Sequence, residues 1–311
     1  MKVVIFTVTG DQGSSVAKYL LDDVDAKHRV LGIVRNPTSE KAQTLASLGV
    51  ELIKGDLSDP SSYADKLDGV DAAYVNADFW THYLSNGYDA LSAQRAEVAE
   101  AVGAIEACVK AGVKHIIYSA LDRVGEGECP HFESKNAVMK HLKDNDIPHT
   151  NLITCNYFSN LTKFGFLKPK SGSKEDSKEG WALDIAVPDD TVLSSYPVEQ
   201  TGLWVKEALS NPDKWIGKDM YATTSSLTVK EMAGVISKIG GVKVDTRGVG
   251  KEEFYSDGLR QAVGEEMWLA LKLIVEGKMN RTPEIITSIE GTWDFGTWAK
   301  QNETLKEWFK L

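Results

Sequence analysis

The sequence predicts a doubly wound α/β fold, a parallel sheet with helices on both faces, carrying a smaller C-terminal α/β lobe. Three observations predict it. Short β-rich runs alternate with polar-faced helical segments from residue 2 to about 153, which is the pattern that builds parallel βαβ units. The first strand runs directly into a glycine-bearing turn that opens a helix, Thr7-Val8-Thr9-Gly10-Asp11-Gln12-Gly13. After residue 154 the alternation loosens. Residues 1–153 are therefore read as the nucleotide-binding domain and 154–311 mainly as the smaller lobe, with some of its segments returning to the sheet.

The elements follow in order. Strands are expected at Val3 to Phe6, Val30 to Val34, Glu51 to Ile53, Ala72 to Val75, His115 to Tyr118 and Thr150 to Ile153. The longest helix runs from about Ala90 to Ala111. On it Val98, Ala101, Val102, Ile105, Cys108 and Val109 recur at three- and four-residue steps, a stripe expected to face the sheet. Beyond the boundary, the polar stretch Lys168 to Glu179 has the composition of a solvated loop, a lid or an insertion. Pro197 to Leu209 and Thr228 to Ile239 read as helices. The second is opened by a capping box, Thr228 with Glu231, and closed by Gly240-Gly241. Val242 to Arg247 reads as a short strand, and Trp293, Trp298 and Trp308 as core or interface anchors.

Composition narrows the function classes. A chain of 311 residues buries a large core, and 42% apolar with 26% charged residues excludes a disordered chain. The run Val3 to Phe6 is far too short for a membrane helix or a signal-peptide core, so no membrane partner and a cytoplasmic location with open nuclear access are expected. A formal net charge of −10 disfavours direct nucleic-acid binding. A regulator of this composition would act through a protein partner. Cys108, Cys129 and Cys155 have neither CxxC spacing nor histidines that complete a metal quartet. Asp22-Asp23 and Asp189-Asp190 read as turns, His28, His82, His141 and His149 are scattered, and no GxSxG elbow is present.

The strand-turn-helix context points to a dinucleotide. Backbone N–H groups and the positive end of the first helix would face a pyrophosphate, with Thr7, Thr9, Gly10, Asp11, Gln12 and Gly13 lining the turn. Thr7 stands where a full GxxGxxG pattern has its first glycine, so the turn is expected to be slightly reshaped. The second strand ends in Arg35-Asn36, where an NAD-preferring site places a carboxylate for the ribose 2′-hydroxyl. A guanidinium there forks onto a 2′-phosphate. The expected cofactor is accordingly NADP(H), with Lys41 adding charge. Asp56 and Leu57 after the third strand are expected beside the adenine. Asn76, Ala77 and Phe79 after the fourth are expected along the ribose and nicotinamide.

These residues together resemble the NmrA-like family, a divergent branch of the short-chain dehydrogenase/reductase superfamily. The resemblance rests on Thr9 to Ala17 (TGDQGSSVA), Val34 to Pro37 (VRNP), Lys54 to Asp59 (KGDLSD), His115 to Leu121 (HIIYSAL), His131 to Lys135 (HFESK) and Asn156 to Leu161 (NYFSNL). It implies an NADP(H)-binding Rossmann domain with a small C-terminal lobe, used in the family as a redox or cofactor-level sensor reporting to a protein partner, and as a reductase in relatives of the wider superfamily.

Short-chain dehydrogenases place Tyr-x-x-x-Lys on one helix, the tyrosine giving a proton and the lysine lowering its pKa. The corresponding spacing here is His131-x-x-x-Lys135. Two accounts stand at this level. In one, His131 is the acid near neutral pH, Lys135 reaches the nicotinamide ribose, and Ser119 donates to a substrate carbonyl. In the other, His131 only starts a helix, Lys135 clamps the ribose without chemistry, and Ser119 bonds to backbone. Tyr157 and Asn160 after the sixth strand are expected to border the nicotinamide pocket, Tyr157 as a stand-in for the missing phenol. The two functions in view are a cofactor-level sensor, acting through a partner or a homodimer, and an NADPH-dependent reductase of small carbonyl or activated-alkene substrates.

Overall fold

The computed structural model describes residues 1–172 and 179–311. The chain divides into two compact units, Met1–Thr154 with Val198–Ala222, and Cys155–Pro197 with Thr223–Leu311. The first unit opens with β1 (Lys2–Ile5), α1 (Asp11–Leu21), β2 (Arg29–Val34), α2 (Glu40–Ser47), β3 (Glu51–Lys54) and β4 (Ala72–Val75). It continues with α3 (Phe79–Ser85), α4 (Ala90–Lys110), β5 (His115–Ala120), α5 (Pro130–Asp144) and β6 (His149–Ile153). Next come β7 (Asn156–Tyr157), α6 (Asn160–Lys163), β8 (Leu167–Pro169), β9 (Trp181–Leu183) and β10 (Val192–Tyr196), all of the second unit. The first unit is completed by α7 (Thr201–Ser210), α8 (Pro212–Trp215) and β11 (Lys218–Tyr221).

The first unit carries a seven-stranded parallel sheet in the order β11-β6-β5-β4-β1-β2-β3. Its central strands are buried on both faces, as in β1, where Val3, Val4 and Ile5 are all inaccessible. That is why they read as unbroken apolar runs. The chain winds outward through β1, β2 and β3 on one side and through β4, β5, β6 and β11 on the other. The direction of winding therefore reverses between β1 and β4, at whose carboxyl ends open α/β sheets bind ligands.

Three features of this unit differ from the sequence reading. The edge strand β11 was not anticipated, because Lys218-Asp219-Met220-Tyr221 has one fully buried residue, Met220, and no apolar run. Its Asp219 is tied down by Arg123 at 2.7 Å and by Asn151 at 2.8 Å. The helix expected from Pro197 begins only at Thr201, after a 3-10 turn over Val198–Gln200, and belongs to this unit. It lies against α1 at Gly202, whose missing Cβ would stand 2.6 Å from Tyr19 Cβ and 2.7 Å from Ser15 O. There Ser15 Oγ donates to Glu199 O and accepts from Gly202 N. The buried stripe of α4 keeps Ala101, Ile105 and Cys108 of the expected set and adds Ala93, Glu97, Ala104 and Ala107, with Val98 and Val102 half-buried against the core and Val109 exposed. A carboxylate thereby enters the interior.

The second unit continues with β12 (Ser225–Thr228), α9 (Val229–Gly240), β13 (Val244–Thr246), α10 (Lys251–Phe254), α11 (Asp257–Val263), α12 (Glu265–Val275), α13 (Phe295–Gln301) and α14 (Glu303–Phe309). It holds two three-stranded sheets, β12-β10-β7 and β13-β9-β8. The capping box is formed as expected, with Glu231 N donating to Thr228 Oγ1 at 3.1 Å and Thr228 N to Glu231 Oε2 at 2.8 Å. Trp298 is fully buried, while half-buried Trp308 stacks on buried Trp181 at 5.2 Å. The polar stretch begins not as loop but as β8, antiparallel to β9. The rest of the expected lid or insertion, residues 173–178, lies outside the described residues. Among the described residues no helix is long and apolar enough to cross a membrane.

Candidate functional site

The β1–α1 turn is built by backbone. Thr7 takes the left-handed conformation, φ 54°, which glycine adopts without cost and a β-branched residue rarely does. The turn is thus retained with a strained threonine in it. Its carbonyl accepts from Gly10 N at 2.9 Å. Half-buried Thr9 leads into exposed Gly10, which stands at the cap of α1 in extended conformation and has no side chain to offer there. Asp11 is the first helical residue. A Cβ on Gly13 would lie 2.5 Å from Thr7 O and 2.8 Å from Val8 Cα, so only glycine allows the helix to approach the strand this closely. Gln12 of the turn sends its side chain inward. It is buried, and its Oε1 accepts from Ser119 Oγ at 2.7 Å and from the Tyr74 hydroxyl, knitting α1 to β4 and β5.

At the end of β2, Arg35, Asn36 and Lys41 are exposed. Asn36 closes a local turn, its Oδ1 accepting from Thr38 N at 3.0 Å and Thr38 Oγ1 at 2.8 Å. Half-buried Asp56 does the same toward Ser58. Those two hydrogen bonds hold its carboxyl below the usual range against the effect of burial, and the nearby Arg35 guanidinium adds to the lowering. Leu57 packs against the core beneath.

The residues after β4 and on α5 meet in the interior. Lys135 Nζ donates to Ala77 O at 2.9 Å and Asn76 Oδ1 at 3.1 Å. It lies 2.8 Å from Glu97 Oε1, with the two side chains 7% and 1% exposed. Ser134 Oγ donates to the other Glu97 oxygen. The sequence reading missed Glu97. The signal that finds it is its place in the buried series of α4, one turn before Ala101 and two before Ala104, where a lone carboxylate demands a cation.

Two candidates for acid chemistry change character here. His131 shares a helix face with Lys135, yet its ring packs against Trp80 at 5.0 Å, Phe132 at 5.2 Å and Phe79 at 5.3 Å. Burial lowers its pKa to about 3 and the Lys135 charge adds to the shift, with Asp78 opposing. The imidazole is therefore neutral near pH 7 and has no proton of the expected strength to give. Ser119 is 2% exposed and donates to Gln12 rather than outward. Phe79, expected along the cofactor, is 1% exposed and belongs to the same aromatic cluster, stacked on Tyr83 at 5.6 Å.

Tyr157 and Asn160 belong to the second unit. Tyr157 meets Tyr196 edge to face at 5.5 Å, and Asn160 Nδ2 donates to Asn156 Oδ1 at 3.0 Å. This unit also has a cleft of about 970 Å³. Its lining includes Asp189 and Asp190, read from sequence as a turn, together with Lys230, Ser237 and Thr246. Asp189 accepts there from Thr246 Oγ1 at 2.6 Å. Among the described residues no cluster of three or more His, Cys, Asp or Glu side chains is arranged to hold a metal ion.

The sequence profile of the NmrA-like family matches residues 1–293. The chain belongs to the NmrA-like family. An NmrA-like family domain-containing protein of Dictyostelium discoideum is 28% identical over 264 residues, 81% of this chain and 82% of that protein. Two solved structures share the fold. Triphenylmethane reductase of Citrobacter sp., complexed with NADP(H), superposes with a TM-score of 0.73 at 23% identity, covering 97% of this chain and 99% of its own. NmrA, a negative transcriptional regulator in complex with NADP, does so with a TM-score of 0.74 at 18% identity, covering 98% and 96%.

Proposed function

We propose that this NmrA-like chain binds NADP(H) on the β1–α1 turn and acts as a cofactor-level sensor that reports through self-association or a protein partner. One observation carries the reading: in the first unit a helix opens at Gly10 and Gly13 straight after β1, with Arg35 exposed at the end of β2, while the groups of a proton relay are spent inside the fold. The residues fit the cofactor. Gly10 and Gly13 bring no side chain to the point where α1 begins, and Arg35 is an exposed cation. The helix end would hold the pyrophosphate, and Arg35 the 2′-phosphate. When bound, the nicotinamide supplies a hydride. The chain's own part in chemistry is limited, because His131 is neutral in its aromatic cluster, Ser119 serves Gln12, and Lys135 serves Glu97.

A sensor works by differential affinity: NADPH favours one of two states and so changes what that state binds. Sedimentation velocity and hydrogen exchange with and without saturating NADPH test this. The expected result is a change in association state or in protection away from the binding turn, and no change in either overturns the sensor. The likeness to triphenylmethane reductase favours a second reading, an NADPH-dependent reductase of small carbonyl or activated-alkene substrates. NADPH oxidation against aldehydes, ketones and enones is its assay. In this reading turnover is insensitive to His131→Phe, since the ring is not charged near pH 7 and does not serve as the acid.

A further inference from the structure

A carboxylate buried on the sheet-facing stripe of a helix is costly unless a cation meets it. Glu97 is met from α5 on both oxygens, by Lys135 at 2.8 Å and by the Ser134 hydroxyl. The contact with Lys135 is an ion pair, and two of the three ammonium donors go to Asn76 Oδ1 and Ala77 O. A single buried carboxylate therefore anchors a lysine that in turn grips both backbone and side chain at the carboxyl end of β4. This is the side of the winding reversal opposite the β1–α1 turn.

We infer that Glu97 is a positioning residue of the cofactor site: by holding the Lys135 ammonium in the interior it fixes the lysine together with the backbone of Asn76-Ala77. The inference rests on the NADP(H) reading above. Glu97 needs no contact with the cofactor for this role. Its effect passes through Lys135, and that makes it separable from a plain contribution to stability. Without Glu97 the ammonium is left buried and unpaired, so it withdraws toward solvent and releases the strand end. With both charges replaced by apolar side chains of similar length, packing is restored while the clamp on residues 76–77 is not.

The test uses the full chain, with NADPH affinity read by fluorescence titration and unfolding temperature measured in parallel. Wild type, Glu97→Gln, Glu97→Asp, Lys135→Met and the pair Glu97→Met with Lys135→Met are compared. Expected are a loss of at least tenfold in NADPH affinity for Glu97→Gln and a smaller loss for Glu97→Asp, which keeps the charge one methylene short. The double variant should regain the wild-type unfolding temperature and yet bind NADPH as weakly as Lys135→Met alone. If Glu97→Gln does not fold, Glu97→Asp and the double variant decide. Wild-type affinity in Glu97→Gln or Glu97→Asp overturns the inference, as does a double variant that recovers affinity along with stability. A wild-type chain that binds no NADPH overturns the cofactor reading itself, and is distinguishable because no variant is needed to see it.

Discussion

The two halves of the sheet's carboxyl edge are built on different terms. On the β2 and β3 side, polar groups are exposed or closed by partners two residues away, as Asn36 is by Thr38 and Asp56 by Ser58. On the β4 and β5 side, the corresponding groups are drawn inward by partners far along the chain, Lys135 by Glu97 and Ser119 by Gln12, the latter pair 107 residues apart. The first half keeps Gly10, Arg35 and Lys41 exposed. The second half spends its hydrogen-bonding capacity on holding helices to strands, and a buried polar network of that kind stabilises only while every member is paired. The contrast teaches that residue types alone do not define a catalytic centre, because the same lysine and serine serve chemistry or architecture according to what lies behind them.

Four substitutions sharpen or break this contrast. The largest effect is expected from Gly13→Ala, because the added Cβ meets rigid backbone at 2.5 and 2.8 Å. A loss of about 2–3 kcal/mol in stability, together with loss of NADPH binding, is read by denaturant unfolding and titration. A neutral result would mean that the open half is not the tight turn described. Arg35→Asp comes next. Removing a charge-assisted contact and adding a repelling carboxylate is expected to weaken NADPH relative to NADH by about 10- to 100-fold, and equal affinity of wild type for the two cofactors would sink the 2′-phosphate assignment.

A third prediction concerns the closed half and pH. The His131 pKa is about 3 in the fold against an ordinary 6.5, so between these values the unfolded chain binds the additional proton. Stability then rises with pH through that window and is flat with respect to this group above it. His131→Phe keeps an aromatic ring in the cluster and removes the proton uptake. It should lessen the acid loss of stability by about 1 kcal/mol per pH unit below 6.5, measured by denaturant unfolding from pH 7 to pH 5. His115, lowered by burial to about 4, leaves a residual slope in both proteins. An unchanged slope would show that the ring is not shielded as its neighbours imply. The smallest effect belongs to Thr7→Gly, which relieves the left-handed threonine at the expense of unfolded-state entropy. A gain of up to about 1 kcal/mol is expected in thermal unfolding, with NADPH affinity retained; a clear loss of stability would mean that Thr7 Oγ1, which donates to Phe6 O, matters more than the strain.

How much was legible follows the same division. The strands through β6 and the turn were legible because continuous apolar runs and glycine spacing are local properties. Arg35 was legible for the same reason, since its position at a strand end follows from strand length. Glu97 was not, because Val98 and Val102, the valines that follow it and Ala101, drew the expected stripe one position along while Ala101, Ile105 and Cys108 were shared by both. β11 was hidden by its charged edge residues.

The sequence by itself determined the doubly wound sheet, the glycine-bearing turn before α1 and the basic residue after β2, and its motifs brought the NmrA-like family into view. Each of these depends on residues within a few positions of one another. Only the tertiary structure decided that Gln12 points inward, that Ser119 and Lys135 have partners, and that His131 lies among aromatic rings. The physical reason is that hydrogen bonds, ion pairs and desolvation act across space. Whether a polar side chain is available for chemistry is settled by groups that the order of the chain does not place beside it.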